Sequence, residues 1–460
     1  MPQRCIAILC LLGALPACQA LTVRPVDAPD PAPLLGPAAG VAAAIEFSAD
    51  GEPDDACSQS PDLPLDAALR EALVHDPRIQ QALAKWHRAR AGSDEARLLP
   101  HPLLSIGVSL ARAISDATVT VGITQEIAAY LQRPHRAGAA DARLRAAAEE
   151  ALAVALDVVS ETRSAYLVAQ EADARRPTAE QRVDLLGRLR EIHREALREG
   201  EGLPGDVTAL DAEIAAIGLD LAELDADRIR ARIELARRIG RPSDAGAWRL
   251  APWPELPAPA GDAKPWIEGA LARRPETRAI GWELAALGEE RALVSTWPWE
   301  GASAGAEFEY DSGLALGPAV EIPIALSDPS GPRDAAITAS EAELRHRAVE
   351  IRRTVIRDVR LALADEAAAR RALDLLDRGL LPLLERRRAE IDASRHAGEV
   401  EITVLLLADR ELQDARSRRV ELERRVLESR IRLERATGGS GDAPATPPGP
   451  PSPGQGGTPR

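Results

Sequence analysis

Acids gather beside glycine at two places where the sequence is otherwise helix-forming. The segments read "REGEGLPGDVTALDAE" (198–213) and "AGEVEITVLLLADREL" (397–412). In each, a glycine (Gly200, Gly398) is followed by acids, a short apolar run, and then Asp and Glu two residues apart. Glycine supplies the positive φ that a tight helical reversal needs, so Asp206, Glu399 and Glu401 are carboxylates at chain turns. Two chemistries are open to them. They are solvated charges favouring a helix start, or they face an aqueous pore and draw cations to it. "GASAG" (301–305) has the spacing of a serine nucleophile elbow, which requires a strand–turn–helix setting with acid and His partners. Here it opens a predicted strand, and the matching stretch around Ser105 and Gly107 lacks the first glycine. The seven histidines are scattered, and the four cysteines (5, 10, 18, 57) lack metal-ligand spacing. The reading is no enzyme, no metal and no cofactor.

What positions the two acidic segments is a duplication. They lie 198 positions apart, and the same offset relates Ala72-Leu73 and Pro77 to Ala270-Leu271 and Pro275. It relates Pro100, Ser105 and Gly107 to Pro298, Ser303 and Gly305, and Pro134 to Pro332. It also relates Asp211 and Glu213 to Asp409 and Glu411, and Gly240 to Gly438. Many of the matches are Pro or Gly, the residues that punctuate structure, so the halves share boundaries. The first half predicts a helix over 63–98 with a break or kink at Pro77, then strands at 103–112 and 117–126 that form a hairpin. A helix from Pro134 to Glu199 follows, then a turn and a helix over 206–239 with Asp206 as N-cap. The second half repeats this as helix 265–297, strands near 302–311 and 317–326, and helices 332–397 and 402–437. The segments are 1–17 as signal peptide, 18–62 as linker, 63–240 and 265–438 as repeats, a Pro-rich linker at 241–264, and a disordered tail at 439–460.

Each long helix would reach about 100 Å and each shorter one about 50 Å at 1.5 Å per residue. Two short helices end to end therefore match one long one, the arithmetic of a helical tube. Val207, Leu210, Ile214, Ile217, Leu221 and Leu224 alternate steps of three and four, a coiled-coil seam. A soluble scaffold would explain that seam equally well, but not the hairpins. Strands of about ten residues suit an outer-membrane barrel. Trp297, Trp299, Phe308 and Tyr310 cluster in the second hairpin of a chain only 3% aromatic. Two hairpins leave open edges in lipid, so closure needs more copies, and three would supply twelve strands.

The start, "MPQRCIAILCLLGALPACQA", fits an export signal, and "LPAC" (15–18) marks Cys18 as a candidate for acylation. A net charge of −15 without a basic block argues against nucleic acid.

Taken together, the sequence resembles the TolC-like outer-membrane efflux proteins over about 63–438. The resemblance rests on the duplication, "LDAALREALVHDPRI" (65–79), "LLPHPLLSIGV" (98–108) and "GEVEITVLLLADREL" (398–412). "ITQEI" (123–127) and "VEIPIALSDPSGPRDAAI" (320–337) are most similar to the branch serving heavy-metal and cation efflux. The resemblance implies a mostly α chain with a small membrane β-barrel part. It implies a homotrimer whose long helical hairpins form an α-barrel tunnel and whose β-hairpins give a 12-stranded barrel. It further implies a lipid-anchored protein of the bacterial outer membrane, extending into the periplasm. There it would receive substrate from a periplasmic adaptor and an RND-type inner-membrane pump. Gly200, Gly398, Val207, Leu210, Leu405 and Leu406 become candidate adaptor contacts, and Asp206, Glu399 and Glu401 candidate gate acids. The chain departs from the family in the extra "GLPG" (202–205) at the first tip. The competing class is an exported coiled-coil scaffold or adaptor without a pore.

Overall fold

The computed structural model describes residues 30–49, 61–110, 117–243, 248–310, 313–324, 328–396 and 400–439. Cys18, Gly398 and Glu399 lie outside them. The first repeat runs α2 (Leu65–His75), α3 (Pro77–Ala96), β2 (Leu103–Leu110), β3 (Ala117–Glu126), α4 (Ala128–Arg198) and α5 (Pro204–Arg238). The second runs α6 (Ala263–Arg273), α7 (Pro275–Val294), β5 (Ser303–Tyr310), β6 (Leu314–Glu321), α8 (Ser330–Leu375), α9 (Leu381–His396) and α10 (Ile402–Ala436). Shifting α2, α3 and α5 by 198 reproduces the bounds of α6, α7 and α10 residue for residue. The remaining elements are α1 (Ala32–Ala38), β1 (Asp62–Leu63) and β4 (Arg249–Leu250).

At Pro77 the helix expected over 63–98 is broken rather than kinked, because Asp76 is extended (ψ 119°) before it. A residue preceding proline is pushed out of the helical region by the ring. Its repeat mate Arg274 does the same before Pro275. α5 opens at Pro204, two residues earlier than expected, since proline is pre-set for the first helical turn. Asp206 is therefore a first-turn acid and not the N-cap. In the second repeat the long helix is interrupted by a π turn, Leu376–Leu380, just before Pro382. Proline lacks the N–H for an i−4 bond and its ring crowds that carbonyl, which the wider turn accommodates.

By contacts the chain forms two units. One holds residues 84–149 and 278–348 and contains the four-stranded antiparallel sheet, in the order β2-β3-β5-β6. Its helices are held by ion pairs such as Arg97–Asp141 (2.6 Å) and Arg278–Glu149 (2.6 Å). The other unit holds the described parts of 30–83, 150–277 and 349–439. Its largest apolar core gathers Leu73, Ile79, Leu83, Tyr166, Leu235 and Ile239, all fully buried or nearly so. The 18–62 segment is more than a linker, because Leu35, Val41 and Ile45 insert into this core. The Gln80 side chain fixes it further, accepting from Ser48 N and donating to the Glu46 carbonyl, each at 3.0 Å. No described helix is long and apolar enough to cross a membrane.

Candidate functional site

Pairing partners in an antiparallel sheet share a face, so the register sorts the strand residues into two sets. Leu104↔Ile123, Ile106↔Val121 and Val108↔Val119 pair across β2 and β3. Val121↔Phe308 and Val119↔Tyr310 carry that face into β5, and Phe308↔Leu316 and Tyr310↔Leu314 carry it into β6. One face is thus almost wholly apolar, yet it is not covered. Leu104 is 63% and Leu316 66% exposed. The opposite face pairs Ser105↔Gly122, Gly107↔Thr120 and Ser109↔Thr118, then Glu307↔Gly122 and Glu309↔Thr120. Every charged residue described in the four strands of this sheet, Glu126, Glu307, Glu309 and Glu321, belongs to this small and hydroxylic face, and none is basic. Alternation of this kind, with the apolar set outward and the polar set inward, is the pattern of a membrane barrel strand.

Gly305 is where the two repeats meet in the sheet. A Cβ there would lie 1.8 Å from the Ile123 carbonyl oxygen, so only glycine fits. Ser303 of "GASAG" sits at the start of β5, where its hydroxyl donates to Glu321 (3.2 Å), and Gly301 occupies the preceding turn at φ 84°. The strand–turn–helix setting of a nucleophile is not formed there. At the helix side of the sheet, Ile127, Tyr130, Leu131 and Trp299 are exposed. Trp299 belongs to a 3-10 turn at Trp297–Trp299.

The first helical tip is closed by glycine as expected. Gly200 has φ 84°, and Glu201 N and Gly202 N both donate to the Ala196 carbonyl, at 2.9 and 3.0 Å. Asp206 turns back to His193 Nδ1 at 3.4 Å. Glu401 is exposed just before α10, where it accepts a long bond from the Thr403 hydroxyl (3.4 Å). Two of the candidate contact sets need correction. Leu210, Leu405 and Leu406 are buried between helices with Leu186, Ile217 and Ile402, so their surface is already used inside the chain. Val207 is half-buried beside them. The apolar run 404–407 pairs the returning helix with its neighbours through Leu405 and Leu406, and of that run only Leu407 and Val404 stay exposed.

Sequence reading missed Arg182. Its Nε donates to Asp409 (3.1 Å) and its Nη2 to Glu213 (2.6 Å), which ties the two repeats together deep in the helices. Arg388 donates to the other Asp409 oxygen at 3.3 Å. Aligning the repeats would have exposed it, because the position matching Arg182 is Leu380.

Residues 68–241, the first repeat almost to its ends, match the family model described as "Outer membrane efflux protein". The first repeat is an outer membrane efflux protein repeat. The fold of such proteins extends over the described chain in comparisons with solved structures. The outer membrane protein VceC from Vibrio cholerae is 17% identical with a TM-score of 0.68, covering 82% of this chain and 97% of its own. CusC, studied for folding and transmembrane channel formation, is 17% identical with a TM-score of 0.67, covering 86% and 99%. The open state of the MtrE outer membrane channel from Neisseria gonorrhoeae is 20% identical with a TM-score of 0.62, covering 82% and 89%. Among curated proteins none matches.

Proposed function

We propose that the chain is the outer-membrane channel of a tripartite efflux system, a passive duct fed by a periplasmic adaptor and an RND-type inner-membrane pump. The observation that carries this reading is the sheet, with one face apolar and uncovered, the other polar, and both outer strands unpaired. β2 and β6 each leave a row of backbone groups without partners, which lipid does not tolerate. Closure requires the β6 edge of one copy to meet the β2 edge of the next. With four strands per chain, three copies give a twelve-stranded barrel, and the long helices continue as a tunnel. Cys18 supplies a lipid anchor in the outer membrane, and Gly200 and Gly398 mark the periplasmic tips that meet the adaptor.

The cargo class we infer is cationic, metal cations included. The charges described on the polar sheet face are all carboxylates, and Asp206, Glu399 and Glu401 add three more acids beside the turn glycines. Purified protein in detergent is expected to have the mass of three chains, to stay in the outer membrane after high salt, and to form cation-preferring pores in planar bilayers. A stable monomer released by salt would instead identify a scaffold.

A further inference from the structure

The duplication makes it possible to read a contact between copies from one within the chain. Inside the chain, α4 meets α9 and α10 at a cavity of about 350 Å³. The α4 side contributes Thr178, Gln181, Arg182 and Leu185; facing them are Glu385, Arg388, Asp409, Leu412, Gln413 and Arg416. Every one of these residues has a repeat mate 198 positions away. Those of the α4 side are Leu376, Gly379, Leu380 and Leu383, on the π turn and α9. Those of the facing side are Gly187, Arg190, Asp211, Ile214, Ala215 and Gly218, on α4 and α5.

The two sides change together. Where the chain has Arg182, the second repeat has Leu380, which is 47% exposed, with Leu383 exposed beside it. Where the facing side has Glu385, Gln413 and Arg416, the first repeat has Gly187, Ala215 and Gly218. A Cβ built on Gly187 or Gly218 meets no atom within 4 Å, so the space beside both glycines is open. A charged side chain faces long polar ones within the chain; exposed leucines and an open surface of small residues are both left uncovered on it.

The cations agree with this. Asp211 is served by Arg190 and Arg194 of its own repeat, at 3.5 and 3.4 Å. At the mate of Arg194 the second repeat has Asp392, so Asp409 keeps only Arg388 from its own repeat and takes Arg182 as its second cation. An apolar residue opposite Asp211 leaves no charge short of a partner. The geometry points to a docking surface for a second copy of this chain: Leu380 and Leu383 of one copy pack on the small-residue surface formed by Gly187, Ala215 and Gly218 of the next. The contact is head-to-tail, as closed rings of copies require. It rests on the three-copy channel proposed above and adds which helix faces meet, and that this contact is apolar at the positions where the one inside the chain carries Arg182 and its acid partners.

The test pairs Leu380→Cys with Ala215→Cys in the full chain, with Cys57→Ser and Cys18 retained. Mild oxidation is expected to give covalent products of up to three chains that collapse on reduction, while each single substitution stays at one chain. Trimers by mass that do not cross-link would place the seam elsewhere and overturn the contact but not the channel. A cross-link confined to one chain, or one made to a different protein, overturns it as well. A monomer by mass overturns the channel reading itself. By mass in detergent, without the cysteine pair, Leu380→Glu, set against Asp211, is expected to lower the assembled fraction at least tenfold. Leu380→Arg, which recreates the pairing seen inside the chain, is expected to keep it. Equal assembly of the two would remove the argument from charge.

Discussion

Asp211 and Asp409 stand at the same place in the two repeats, on helices with matching bounds, and each is reached by an arginine at the matching position. Their surroundings differ. The Asp211 side chain is 44% exposed and that of Asp409 is 8% exposed. Duplication copied the backbone and the ion pair, but the two copies of the pair do different work. In water an ion pair contributes little, whereas a buried carboxylate stripped of one cation is costly.

The largest expected effect follows directly. Arg182→Ala leaves Asp409 and Glu213 each short of a partner in a confined site, and should destabilise the protein by about 3 kcal/mol. Arg190→Ala, at the exposed pair with Asp211, should cost no more than about 0.5 kcal/mol. Thermal or denaturant unfolding of the two variants checks this, and equal losses would show that burial does not separate the sites.

A second contrast lies among the strand glycines. Gly305→Ala drives a methyl group into the Ile123 backbone, and overpacking of that kind costs roughly 1–3 kcal/mol. Gly317→Ala meets open space and should be near neutral. Heat-resistance of the assembled protein on gels should separate the two.

These contrasts mark what the sequence could and could not show. Repeat boundaries were legible because Pro and Gly set them by local geometry, as at Pro77, Pro275 and Gly200. The strand faces were legible in the alternation of 104–108 against 119–123. The break at Asp76 needed only the rule for residues before proline. What stayed hidden depends on neighbours distant in sequence. Leu405 and Leu406 looked like a docking strip because an apolar run does not announce whether its partner is in the same chain. Arg182 looked like one arginine among many, since its value comes from Asp409, 227 positions away. The insertion of Leu35 and Ile45 into the core was masked by a Pro/Ala-rich composition that reads as a tether.

Two half-buried glutamates give opposite dependences on pH. Burial pushes the Glu276 carboxyl up, but the charge and hydrogen bond of Arg435, with Arg274 nearby, hold it below the usual glutamate range. A lowered folded value means stability that is present above the ordinary glutamate range, near 4.3, and is lost as pH falls through the lowered value. Glu149 is pushed up by burial, against the pull of Arg278. The folded state then binds that proton more readily, so this group's contribution declines as pH rises through the same range. Glu276→Gln should therefore cost about 1–2 kcal/mol at pH 7 and much less at pH 3. Glu149→Gln should cost less at pH 7 than at pH 3. Unfolding midpoints at the two pH values check both signs.

The smallest effect is expected at the tips, where the flanking helices have matching bounds and the side chains differ. His193 and Asp206 face each other across the first turn at 3.4 Å, and their mates in the second repeat are Ile391 and Val404. One hairpin is closed near its end by a polar pair and the other has apolar residues at those positions. The helix bounds nonetheless coincide: Arg198 and His396 end the outgoing helices, and Pro204 and Ile402 begin the returning ones. Glycine and the seam below therefore set the turn, and the pair above it adds little. His193→Ile with Asp206→Val, which gives the first tip the residues of the second, should shift stability by less than about 1 kcal/mol, the ordinary range for a pair near the surface. Hydrogen exchange at Ala196–Asp206 reads the tip alone. Protection within about fivefold of the parent would support a turn set by backbone, and its collapse would make the His–Asp pair the clasp of the first hairpin.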